Sequence, residues 1–203
     1  MKKFFYTLIV ALLAGACQNT TTQSSPQQAA PPKTEPEPQS LNESAQAVLE
    51  LLKRKDFETL VEWIHPELGV RFSPYGYVDT ASNLRFSRAQ FREMLANDVV
   101  RNWGQFDGSG DPIDMNFKDY YKKFIFDADF TKPEKFAENE IIGKGNSLIN
   151  LDVIYPGCEF TESHFSGFYP EFGGMDWSSL RLVFRKESGR YFLVGIVHDQ
   201  WTS

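Results

Sequence analysis

Apolar and polar positions change period several times along this chain, and each change marks a boundary. Behind Met1, Lys2 and Lys3, residues 4–13 form a short, mostly apolar run that ends in Ala14-Gly15-Ala16-Cys17. That run is well short of the roughly 20 residues needed to cross a bilayer, so it reads as a removable secretory signal. Residues 18–40 then carry Gln, Thr, Ser, Pro and Ala with no large apolar side chain. Such a stretch cannot bury enough surface to offset its chain entropy, and Pro31, Pro32, Pro36 and Pro38 favour an extended spacer.

From Leu41 the spacing becomes helical. Ala45, Val48, Leu49 and Leu52 recur on one face, and Asp56 caps a second helix carrying Phe57, Leu60, Val61 and Ile64 up to His65-Pro66. Ser87 and Gln90 form a capping box ahead of Phe91, Met94 and Leu95. Phe117, Tyr120, Tyr121 and Phe124 share one face of a helix starting near Asn116, and residues 131–137 predict a short fifth helix. The C-terminal part switches to strand period over 147–155, 159–167, 180–186 and 191–200, with turns at Pro156-Gly157, Gly173-Gly174 and Ser188-Gly189. The last of these is apolar on both faces and should lie centrally. Helices followed by an antiparallel sheet define an α+β domain, with helices packed on a curved sheet.

Composition narrows this picture. Residues 1–16 are expected as signal, 17–40 as tether and 41–203 as one globular domain, a size that supports a single core. The 203-residue chain is 41% hydrophobic and carries 18 Phe, enough to fill that core. Its formal charge is -6 and its longest basic run is Lys53-Arg54-Lys55, which argues against a nucleic-acid partner. Of two cysteines, one lies at the end of the signal, so Cys158 is expected to be an unpaired, partly buried small hydrophobe.

Cys17 after small residues resembles the lipobox of bacterial lipoproteins, in which that thiol is lipidated and becomes the new N-terminus. The resemblance implies membrane attachment through lipid on Cys17 in the bacterial cell envelope. Gln18 and Asn19 after it resemble outer-membrane sorting in a diderm, whereas a monoderm would hold the protein on the outer face of the cell membrane. Further segments, Gly69 to Tyr77 (GVRFSPYGY), Trp103 to Gly110 (WGQFDGSG), Gly174 to Trp177 (GMDW) and Val194 to Thr202 (VGIVHDQWT), resemble a family of uncharacterised bacterial lipoproteins. That family brings no catalytic residues to carry over. In element order the domain also resembles the NTF2-like superfamily, which implies a cone-shaped α+β fold.

Candidate chemistry is sparse. Glu162 and His164 lie two apart on a strand and share a face, and only one of His198 and Asp199 can join them. Glu162, His164 and His198 are therefore the candidates for acid–base or metal-assisted hydrolysis; a tie across the sheet rim is the structural alternative, with Asp176 bonding backbone. Asp107-Gly108-Ser109-Gly110-Asp111 spaces its oxygens like a calcium loop but lacks the glycine and glutamate an EF-hand requires, and reads as a polar turn between two helices. Gly143-Lys144-Gly145-Asn146 reads as a turn. Aromatic residues crowd the loops, making Tyr75, Trp103 and Trp177 the candidates for lining a small-ligand pocket or partner surface. No cofactor is implied. The resulting expectation is a non-enzymatic envelope domain that binds a small apolar ligand or an envelope protein. The alternatives are an envelope hydrolase and a structural or assembly-factor lipoprotein.

Overall fold

The computed structural model describes residues 40–146 and 148–202. Cys17, the signal and all but the last residue of the expected tether lie outside the described residues. Local capping sets the helices. Ser40 and Glu43 close a capping box on helix α1 (Leu41–Arg54), Lys55 ends it in the left-handed region, and Asp56 at once caps α2 (Phe57–Trp63). Ser87 and Gln90 do the same for α3 (Arg88–Ala96), and the Asn116 side chain accepts from the Asp119 N–H to open α4 (Phe117–Phe124). Among the described residues no helix is long and apolar enough to cross a membrane.

The sheet is larger than the pattern of alternation predicted. Strands β1 (Val70–Ser73), β2 (Arg85–Phe86), β5 (Lys135–Glu138), β6 (Glu159–Phe165), β7 (Ser178–Glu187) and β8 (Arg190–Gln200) form one six-stranded sheet in the order β2-β1-β8-β7-β6-β5. Strands β3 (Arg101–Gln105) and β4 (Pro112–Met115) make a separate hairpin. The α+β class holds, but the sheet is mixed rather than antiparallel, because β1 runs parallel to β8, and it does not close into a barrel. As expected, β8 is central. Leu193 and Ile196 face the helices while Val194 and Val197 face a second, smaller apolar layer. A bulge at the β7–β8 pairing sets this phase, since Val183 opposes Gly195 and Phe184 opposes Leu193.

Two predicted elements are different in kind. Residues 131–137 are not a helix: Lys135 to Glu138 pair with the free edge of β6, and that edge outweighs weak local helix preference. The strand expected over 147–155 is absent from its described residues, 148–155: within them Leu151–Ile154 form the short helix α5, which covers the far face of β7 and β8. Asn150 anchors that layer by accepting from the Val78 N–H at 2.8 Å and donating to the Val78 carbonyl at 3.1 Å.

The main core is aromatic. Phe72 on β1 packs against Phe86, Phe91, Trp103, Phe117 and Tyr120, and Trp103 stacks on Tyr120 with centroids 3.9 Å apart. Such pairs contribute about 0.5–1.5 kcal/mol each beyond the area they bury.

Candidate functional site

The strand alternation that puts Glu162 and His164 on one face of β6 also puts Arg181 and Ser179 of β7 beside them, since Glu162 opposes Arg181 and His164 opposes Ser179. Asp199 of β8 joins from the same face and His198 does not. Arg181 is fully buried. Its Nε and Nη2 donate to Glu162 at 2.9 and 3.2 Å, its Nη1 donates to Asp199 at 2.8 Å, and Nη2 also donates to the Gly143 carbonyl at 2.7 Å. Glu162 additionally accepts the N–H groups of Ile142 and Gly143. Both carboxylate oxygens of Glu162 are thereby taken up in holding the 142–143 segment on the sheet.

The electrostatics follow from this burial. Burial alone would lower the Arg181 pKa, yet the Glu162 and Asp199 carboxylates hold it above its ordinary value. Burial raises the Asp199 pKa despite the opposing pull of Arg181. Burial lowers the His164 pKa, and its Nδ1 lies 2.8 Å from the Ser179 hydroxyl. These groups form a buried network in which Arg181, Glu162 and Asp199 bond one another and His164 meets Ser179.

His198 sits on the opposite face of the sheet, edge-on to Phe124, so it does not share a site with His164. It meets two residues that spacing did not reveal. Its Nε2 is 3.2 Å from both Asp127 Oδ2 and Ser178 Oγ, Ser178 donates to Asp127 at 2.9 Å, and Nδ1 is 3.2 Å from the Pro74 carbonyl. A nucleophilic triad needs hydroxyl and carboxylate on different imidazole nitrogens. Here both crowd one nitrogen and the serine proton goes to the carboxylate, so the cluster ties the 127 loop and the 74 turn to the sheet. Burial acts to raise the Asp127 pKa, but hydrogen bonds from His198 and Ser178 win and hold it below the usual carboxylate range. Among the described residues no group of three or more His, Cys, Asp or Glu side chains is arranged to hold a metal ion.

The aromatic candidates separate. Trp103 has no exposed surface and donates its indole N–H to the Met115 carbonyl at 2.8 Å; it is core, not pocket lining. Gly104, with φ of 123°, allows the hairpin twist beside it. Trp177 is 8% exposed and lies beneath Gly143 and Gly145, where a Cβ on Gly145 would sit 3.0 Å from its ring. The Gly143-Lys144-Gly145 segment, which is not a turn, therefore covers Trp177 and keeps it buried.

Tyr75 does line an open cleft, of about 380 Å³, between the turn after β1 and the β3–β4 turn. The segment Asp107 to Asp111 thus joins two strands rather than two helices. Tyr75 is half-buried against Phe124, and burial pushes its hydroxyl pKa up against a hydrogen bond with the Asp107 backbone. Tyr77, half exposed, and Phe106 add two further rings. Asp79, Asn83, Gln105 and Asp107 supply oxygens and amide groups around them. The Ser82 hydroxyl and Ala81 N–H hold the Asp79 carboxylate in place and lower its pKa. Asp107 is fixed by the Thr202 hydroxyl at 2.7 Å. Asp79 and Gln105 were not singled out from sequence as binding residues; the nearest signal was the aromatic and glycine content of the two loops, Tyr77 included.

A second concavity of about 460 Å³, between α2, α3 and α4, is lined by Phe57, Leu95, Phe117 and Tyr121. Cys158 is half-buried, and burial raises its thiol pKa, which slows its reaction without closing it off. Asp176 bonds the backbone N–H groups of Phe168 and Tyr169, both at 2.8 Å. No protein-family model, curated protein or solved structure matches this chain.

Proposed function

We propose that this chain is a lipid-anchored bacterial envelope protein whose globular domain binds a small, hydroxyl-rich molecule without transforming it. The observation that carries the reading is the cleft around Tyr75. Two segments that resemble lipoprotein sequences, residues 69–77 and 103–110, meet there and contribute most of its lining. Aromatic faces beside fixed carboxylate and amide groups suit a ring with one apolar face and a rim of hydroxyls. The cleft volume falls within the range of about 300–1,000 Å³ usual for small-ligand sites. Its polar lining shifts the expected ligand from apolar to polyhydroxylated. The anchor rests on the signal, Cys17 and the tether-like stretch that follows it.

A hydrolase finds less support, because the ionisable clusters on both faces of the sheet bond one another and none of their members lines the cleft. The test is a titration of the full chain with a panel of neutral mono- and disaccharides, followed by tyrosine-region NMR or fluorescence. Saturable binding that Tyr77→Ala weakens at least ten-fold, with unchanged unfolding, supports the reading. Absence of saturable binding across the panel, or preference for amines and divalent cations, overturns it and leaves a structural or assembly role.

A further inference from the structure

We infer that a second, separate pocket on the other side of β1 binds a phosphate monoester carried on a short apolar stem. The pocket measures about 260 Å³ and is lined by Arg71, Arg85 and Arg185 together with Leu68, Ile154, Tyr155 and Val194. Three arginines on a chain of net charge -6 need an explanation. They come from three strands, so no basic run announces them in the sequence.

Register brings them together. Arg71 on β1 stands directly opposite Arg85 on β2, and Arg71 also opposes Gly195 on β8, which in turn opposes Val183 on β7. Arg185 lies two residues beyond Val183 on the same face of β7. Like charges directly opposite on paired strands are destabilising. Neither is offset by a direct ion pair: among the described residues no carboxylate forms a salt bridge with Arg71, Arg85 or Arg185, and no carboxylate lines the pocket, although Asp79 outside it acts on Arg71 at longer range. The guanidinium groups are instead steadied by carbonyls. Arg71 donates Nη1 to the Asn83 and Thr80 carbonyls at 2.6 and 3.2 Å, and Arg185 donates Nη1 to the Pro156 carbonyl at 2.8 Å. Carbonyls orient an arginine without neutralising it, which leaves its charge for an anion.

The wall opposite is apolar with one polar group. Tyr155 reaches over Gly195, where a Cβ would lie 2.7 Å from the phenolic oxygen, so only glycine admits the ring there. The Tyr155 hydroxyl is buried without a hydrogen-bond partner among the described residues, a costly state that a ligand oxygen would relieve. The volume is just below the range of about 300–1,000 Å³ for drug-sized ligands and suits one phosphate with a few carbons. This site shares no lining residue with the Tyr75 cleft and stands or falls independently of it.

Cys158 lines the same pocket, which provides the readout. In the full chain carrying Cys17→Ser, it is the only thiol. Its rate of alkylation is measured with butyl phosphate, with butanol, and with vesicles with or without phosphatidic acid. Saturable protection of at least five-fold by butyl phosphate and none by butanol supports the site and a soluble ligand. Protection by phosphatidic acid vesicles alone supports it with a lipid as the source. Arg85→Gln, at an exposed side chain, should abolish protection without lowering the unfolding midpoint; Arg71→Gln is the second test of the pair. No protection by either phosphate, or protection undiminished in both variants, overturns the inference.

Discussion

Replacing Arg181 by Met tests the buried ion network directly, because Met keeps the stem and removes only the cation and its donors. Arg181 is buried and its two carboxylate partners are 0% and 3% exposed, so neither can recover its lost bonds from water without opening the sheet. Removing one member of a buried ion group costs about 3–5 kcal/mol, because an uncompensated charge stays behind. For a domain of this size that corresponds to a fall in Tm of roughly 6–20 °C. The deficit also has a pH signature. Burial already raises the Asp199 pKa in the native chain against the pull of Arg181. A carboxyl whose folded pKa is raised contributes stability below its unfolded pKa and loses it as pH rises through the folded value. Without Arg181 this loss deepens, so the deficit should widen between about pH 5 and about pH 8. Urea unfolding followed by circular dichroism at several pH values measures both quantities. Adding Glu162→Gln and Asp199→Asn to the variant should recover about half the loss or more, since neutral partners leave no buried charge unpaired. A deficit below about 1 kcal/mol, or one that does not change with pH, would refute the reasoning.

Three further outcomes are expected. Cys17→Ser should release the protein from the membrane fraction and abolish lipid labelling, and fractionation of cells expressing the variant checks this. Trp103→Ala should cost about 3–5 kcal/mol of stability in chemical denaturation, as a fully buried stacked ring does. Asp127→Asn should destabilise by about 1–3 kcal/mol near neutrality and less in acid. The Asp127 pKa is lowered in the folded chain, so its contribution is present above the unfolded carboxylate value and fades as pH falls through the folded one. Unfolding midpoints near pH 7 and pH 3 separate the two regimes.

Helices were legible because their signals are local. Ser40 with Glu43, Ser87 with Gln90, Asp56 and Asn116 all cap within three residues of themselves, and the structure uses each of them. Strands β6 to β8 were legible from length and period. β1 was not, because its four residues gain strand character only by pairing with β8 at the other end of the chain. The apolar run at Leu151 reads as a strand from sequence, whereas it is a helix that covers the far face of the sheet, because periodicity alone does not separate the two in so short a run. At the site, Glu162 and His164 were correctly placed on one face, but their buried cation, Arg181, was not anticipated. The Asp127–Ser178–His198 tie was equally hidden, as its members lie 51 and 71 residues apart from Asp127 along the chain. Aromatic content pointed to three candidates without distinguishing Tyr75, at a cleft, from Trp103, in the core.

The most direct test of the proposed binding role is native mass spectrometry of the full chain extracted in mild detergent from bacterial envelope. The expected spectrum shows a lipid increment on Cys17 and a noncovalent, neutral, hydroxyl-rich adduct that Tyr77→Ala loses and Arg85→Gln retains. A chain carrying no neutral, hydroxyl-rich adduct, or one whose neutral adduct survives Tyr77→Ala, would contradict the account.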